Sequence, residues 1–247
     1  MESSNPVLQS KVFEQARIGV GQQSMTVQGT VNKTLILLAV LLATAVWSWS
    51  LAGNPSAAGM TPVALMASAI GGLVLALATS FKPQWAPVTA PLYAAFEGVF
   101  LGIVSVYFEM RYPGLVMQAV AITFGVLFCM LSLYKSGIIK VTNQFILGVA
   151  AATGAIALLY IVSMVLSVFH INMPFLYASG PLGIGFSIFV AGLAAFNLVI
   201  DFHTIEEGSR QGAHKYMEWY GAFALMVTLI WLYFEILRLL GKLRERK

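Results

Sequence analysis

Seven stretches of this chain run for about 20 residues each with no lysine or arginine before their last turn. They are Thr34 to Ala52, Thr61 to Ser80, Pro91 to Phe108, Val116 to Tyr134, Phe145 to Phe169, Leu182 to Ile200 and Trp219 to Leu240. Crossing the roughly 30 Å of hydrocarbon in a bilayer takes about that many helical residues. Backbone amides in lipid have no water to pair with, so a spanning segment must satisfy its own hydrogen bonds as a helix. A barrel would instead show alternating segments of about 10 residues. The pattern predicts an all-α integral membrane protein with seven transmembrane helices. Composition agrees: 59% of the residues are hydrophobic and 10% charged, against about 25% charged in a soluble domain.

The loops between these runs are too short for a separate globular core, which gives three parts. Residues 1–33 form a polar N-terminal segment, 34–240 a seven-helix membrane domain and 241–247 a basic tail. The apolar run begins too far along for a secretory signal, so no cleavage is expected. Lys and Arg bias sets orientation. With seven crossings, Lys11, Arg17, Lys33, Lys82, Lys135, Lys140, Arg210 and Lys215 share the side of the N-terminus; apart from the tail end, the other side holds only Arg111. The N-terminus is therefore expected in the cytoplasm. Arg238, Lys242, Arg244, Arg246 and Lys247 oppose that bias. Either the seventh helix crosses and leaves a basic tail outside, the favoured reading, or the last segment folds back as a re-entrant hairpin. The pI near 9.2 is accounted for by these flanking charges, and no nucleic-acid partner is expected; the partner is the lipid bilayer. The single cysteine, Cys129, lies inside the fourth run, so no intramolecular disulfide can form.

Within the runs, glycine, alanine and serine recur, as in "ASAIGGLVLALATS" (Ala67 to Ser80) and "GVAAATGAIA" (Gly148 to Ala157). Small residues let helix backbones approach where lipid supplies no hydrophobic drive to associate. Trp47, Trp49, Trp85 and the pair Trp219 and Tyr220 lie near run ends, where amphipathic rings anchor at headgroup level. No internal repeat of the inverted-transporter kind is visible.

Six of the ten acidic residues call for an explanation. Glu97, in "PLYAAFEGVFLGIVSVYF", lies about a third of the way into the third run, where an acid costs roughly 2.5–3.5 kcal/mol on insertion scales. It should face the bundle interior or water, either as a functional group or as a neutral carboxyl bonded to a neighbouring helix. Asp201 closes the sixth run and shares a helix face with Asn197, four residues earlier. Together they could hold a proton or a partly dehydrated cation. The plainer reading is a solvated acid at a helix end, although that end of the helix dipole disfavours a negative charge. Glu206 and Glu207 fall in the polar connector "HTIEEGSRQGAHKYMEW", where Arg210 and Lys215 offer ion pairs. Glu218 opens the last run. Glu235 and Arg238 stand at i, i+3, the spacing of a local salt bridge. Leu225, Thr228, Leu232 and Glu235 form one stripe that a buried seventh helix would turn toward a path.

Several chemistries are set aside. Every lysine lies at or beyond a run boundary, which excludes a Schiff-base photoreceptor. His170, His203 and His214 offer no i, i+4 zinc pair. "ASGPLGIGF" (Ala178 to Phe186) lacks the Gly-x-Ser-x-Gly elbow and reads as a turn before the sixth helix. The chain reads as a non-enzyme without a cofactor.

Four segments together resemble the Bax inhibitor-1 family, in its bacterial branch: "MTVQGTVNKT" before the first run, "AAFEGVFLGIVS" in the third, "FNLVIDFHTIEEG" at the end of the sixth, and "WLYFEILRLLGKL" at the end of the seventh. The resemblance covers about Met25 to Leu243. It implies six helices around a central, more buried seventh, and a pH-sensitive calcium leak closed by two aspartates sharing a proton. It also implies a bacterial plasma membrane location. Asp201 is similar to the sixth-helix aspartate, and the seventh-helix counterpart falls at Thr228, which is not an acid. Glu97, Glu218 and Glu235 are then the candidates for the missing group. The resemblance thus suggests a cation leak with calcium as the permeant ion and Asp201 as its ligand. The alternative is a regulatory protein that binds a membrane protease or cell-death component through its N-terminal segment.

Overall fold

The computed structural model describes residues 24–54, 59–169 and 178–246. Among these the chain forms seven helices: α1 (Val27–Ala52), α2 (Thr61–Phe81), α3 (Ala86–Arg111, entered through a 3-10 turn at Pro83–Trp85), α4 (Leu115–Lys135), α5 (Asn143–Val168), α6 (Pro181–Arg210) and α7 (Met217–Glu245). All seven are long and apolar enough to cross a membrane. Their outer faces carry large apolar side chains such as Val63, Met117, Leu147 and Leu182, well exposed. A monomeric soluble protein rarely exposes so much apolar surface, and lipid is the solvent that suits it. The chain is a multi-pass membrane protein.

Helix ends follow local chemistry. Thr26 caps α1 by accepting a hydrogen bond from the Gly29 amide, satisfying one of the donors that a helix start leaves open. Glycine at φ 70°, Gly212, ends α6: the amides of Gly212 and Ala213 bond back to the carbonyls of Ser209 and Gly208, and a left-handed residue without a Cβ suits that turn. These caps move two boundaries from their sequence-based positions. The α1 helix starts at Val27, well before the apolar run, and α6 continues beyond Ile200 to Arg210. What read as a polar connector is thus partly the last turns of α6. The last helix is one unbroken stretch of 29 residues, about 43 Å long at 1.5 Å per residue, with no break at which a re-entrant hairpin could fold back.

The helices form two compact units. One contains α1, α2, α3 and the segment Thr204–Val227, which spans the end of α6 and the start of α7. In it Gly98 and Gly102 bring α3 against α1: a Cβ on Gly98 would fall on the Leu41 carbonyl and the Thr44 hydroxyl, and one on Gly102 on the Ala45 carbonyl and the Ser48 hydroxyl. The Thr79 hydroxyl donates to that of Thr89 at 2.7 Å, joining α2 to α3. The other unit contains α4, α5, α6 as far as His203 and α7 from Thr228. Its core packs Ile146, Val149 and Ile156 of α5 against Val190, Leu193 and Ile200 of α6, with Trp231 of α7 against them. Met130 of α4 packs with Ala195 and Val199 of α6. In the most apolar stretches of α6 and α7, 56% of residues are buried, against 17–22% in α1, α2, α4 and α5. α6 and α7 are thus the two most buried of the seven helices.

Candidate functional site

Asp201 is fully buried. Because α6 runs on for two and a half turns to Arg210, this carboxyl sits inside the helix and not at its C-terminal end. The solvated reading and the dipole argument attached to it are both overturned. Asn197, one turn earlier and also buried, donates from Nδ2 to the Thr153 hydroxyl of α5 at 2.9 Å and to the Leu193 carbonyl at 3.0 Å. That anchors the polar face of α6 to α5.

Thr228 can be placed relative to Asp201 by helix register. Near the start of α6, the Gly183 carbonyl and the Ser187 hydroxyl accept hydrogen bonds from Lys242 Nζ near the end of α7, each at 2.9 Å. The two helices are therefore antiparallel neighbours. Fourteen residues along α6 from Ser187 is Asp201, and fourteen back along α7 from Lys242 is Thr228. Equal rise per residue puts Thr228 at the level of Asp201. Thr228 is buried, as are Leu225, Leu232 and Glu235, so the predicted stripe on α7 does face inward. It extends further than the sequence suggested: Lys242, read as part of a basic tail, lies within α7 and is only 5% exposed.

Glu235 belongs to a separate group. Its carboxylate accepts from Tyr160 of α5 at 2.9 Å and from the Trp231 indole at 3.3 Å, and pairs with Arg238 at 3.2 Å. The Arg238 guanidinium also donates to the Tyr160 hydroxyl. The expected i, i+3 salt bridge is present, with a tyrosine from another helix added to it.

Glu218, in the other unit, is likewise fully buried and heavily bonded. Its Oε1 accepts from the Thr26 amide at 3.0 Å, the Thr26 hydroxyl at 2.8 Å and Lys215 Nζ at 2.8 Å, while Oε2 pairs with Lys33 at 3.0 Å. Around it, the Met25 amide donates to the Ala213 carbonyl at 2.7 Å and Ser24 forms a β-bridge with His214. Gly29 leaves room for this carboxylate, since a Cβ there would collide with it. Glu218 clamps the start of α1 to the start of α7. Tyr220, next to it, is fully buried and is not the interfacial anchor that its position suggested. Trp47 and Trp85 are exposed as anchors would be.

Glu97 is half-buried on α3. It hydrogen-bonds with Tyr93 one turn earlier, and Tyr93 meets Phe223 edge-on at 5.0 Å. A Cβ on Gly72 of α2 would come within 2.9 Å of Glu97 Oε1. On α6, Glu207 pairs with Arg210 at 2.7 Å. The candidate acids thus occupy distinct settings, and among the described residues no three His, Cys, Asp or Glu side chains converge as metal ligands. The N-terminal segment Met1 to Gln23 and His170 lie outside the described residues.

A family model described as Bax inhibitor 1 like matches residues 5–245. The chain belongs to that family. No curated protein and no solved structure matches it. In this Bax inhibitor 1 like protein, Asp201 of α6 and Thr228 of α7 are both buried and lie level by the register of the two helices. Sequence reading missed Lys242, Tyr160 and the Thr26–Lys33 side of the Glu218 clamp. Only Lys242 carried a signal, standing one heptad beyond Glu235 and two beyond Thr228.

Proposed function

We propose that this Bax inhibitor 1 like protein is a pH-sensitive cation leak of the bacterial plasma membrane, N-terminus in the cytoplasm, with calcium as the permeant ion. Protonation of Asp201 sets its open fraction. The observation that carries this reading is the complete burial of Asp201 within a membrane helix. An ionisable group at such a position is costly, and it marks ion or proton paths more often than it marks packing. Asn197 and Thr228 supply neutral oxygens on the same level or one turn away, and oxygen ligands suit calcium. The ion is cargo here and not a resident cofactor.

With Thr228 in place of a second aspartate, the switch works with one carboxylate. Glu218 and Glu235 have cationic partners of their own at 3.0 Å and 3.2 Å, which suits them to structural roles. Calcium entry into vesicles carrying the purified protein, followed over a pH series, tests the proposal. A rate that matches protein-free vesicles at every pH would refute it.

A further inference from the structure

Glu97 stands eleven residues after the start of α3 at Ala86 and fourteen before its end at Arg111. At 1.5 Å per residue it is about 16 Å from one end of the helix and about 21 Å from the other, near the middle of a hydrocarbon layer about 30 Å thick. Gly72, which faces it, is likewise central in α2, eleven residues from Thr61 and nine from Phe81. The missing side chain of Gly72 makes the space that the carboxyl fills, because a Cβ there would lie 2.9 Å from Oε1. Tyr93, one turn earlier, shares a hydrogen bond with the carboxyl, and among the described residues no lysine or arginine pairs with it. An ionised acid at that depth with no cation beside it is costly, and the neutral acid avoids the cost. Glu97 also differs from the other acids of the helix bundle in access. Asp201, Glu218 and Glu235 are at most 1% exposed, whereas Glu97 is only half-buried.

We propose that Glu97 is a proton-carrying carboxyl open to lipid-soluble electrophiles, and that it is the site at which a hydrophobic carbodiimide modifies this protein. Its surroundings suit such a reagent, since Phe96 beside it on α3 and Leu73 beside Gly72 on α2 are both exposed apolar side chains. In the reaction the carboxyl proton passes to one carbodiimide nitrogen while a carboxyl oxygen bonds the central carbon, giving an O-acylisourea. The acyl carbon then leaves that oxygen for the other nitrogen, and the product is a stable N-acylurea. Nothing is released, so the modified protein gains the whole mass of the reagent. A carboxylate lacks the proton that the first step needs. Glu206 and Glu245 are exposed in polar segments, where water returns any O-acylisourea to the free acid and carries the reagent off as a urea. The reactivity of Glu97 does not depend on the leak or on its ion.

The test treats purified protein in vesicles with dicyclohexylcarbodiimide at neutral pH and locates the labelled peptide by mass spectrometry. Wild type should carry one adduct, on Glu97. Asp201→Asn should keep it, and Glu97→Gln, which conserves volume, should lose it; should the glutamine variant fail to fold, the peptide map of wild type decides alone. A water-soluble carbodiimide with an added amine should reverse the pattern, coupling the amine to Glu206 and Glu245 and leaving Glu97 unmodified. Label on Asp201, on Cys129 or on the acids of polar segments in place of Glu97 would overturn the proposal, as would an unlabelled wild type or equal modification of Glu97 by the two reagents.

Discussion

Replacing Glu218 with glutamine tests the clamp between α1 and α7. The change keeps the volume of the side chain but removes its charge, and it turns an NH2 group toward one of the present donors. The amide oxygen can still accept from the Thr26 amide and hydroxyl, now 3.0 and 2.8 Å from Oε1. What is lost is the pair with Lys33 at 3.0 Å and part of that with Lys215 at 2.8 Å. Those lysine side chains are 23% and 46% exposed, so water recovers part of the loss, and each pair is worth about 0.5–1 kcal/mol. An NH2 group facing an ammonium inside a buried site adds about 1–3 kcal/mol. The sum, about 2–5 kcal/mol, should lower the unfolding temperature in mild detergent by several degrees. Lys33→Gln should cost less, and Lys215→Gln least, in the order of their exposure. A Glu218→Gln protein as stable as wild type would refute the clamp.

Gly98→Val should destabilise the α1–α3 contact by at least 1–3 kcal/mol, the usual cost of overpacking. Gly125→Val should be tolerated, because nothing lies within 4 Å of a Cβ at that position; thermal unfolding of the pair separates the two. Tyr160→Phe removes the hydroxyl that bridges Glu235 and Arg238, and should lower stability by about 1 kcal/mol while leaving the ion pair intact. Thr228→Asp places a second acid at the level of Asp201. Two carboxylates so placed cannot both ionise cheaply, so the pH response of calcium flux should move to higher pH; an unmoved response would contradict the register that puts these residues level.

The seven helices were legible because lipid imposes a single rule, an apolar run of fixed length, and each run obeys it. Their ends were less so. The extension of α6 to Arg210 carries too many polar residues to read as membrane, yet its stop at Gly212 was written in the sequence as a glycine that could take a positive φ. Misplacing that end made Asp201 look terminal. The stripe Leu225, Thr228, Leu232 and Glu235 was readable from helical periodicity, and continuing it by one heptad would have reached Lys242. The Glu218 clamp was not readable, since Thr26 and Glu218 are 192 positions apart and no local pattern links a helix cap to a distant carboxylate. Tyr160 was hidden in the same way, by a partner on another helix.

Calcium flux through vesicles carrying Asp201→Asn, measured beside wild type across the same pH series and with matched protein incorporation, bears most directly on the account. The account predicts a flux that no longer varies with pH in the variant while the wild-type flux does. A variant whose flux and pH profile superimpose on those of wild type would contradict it.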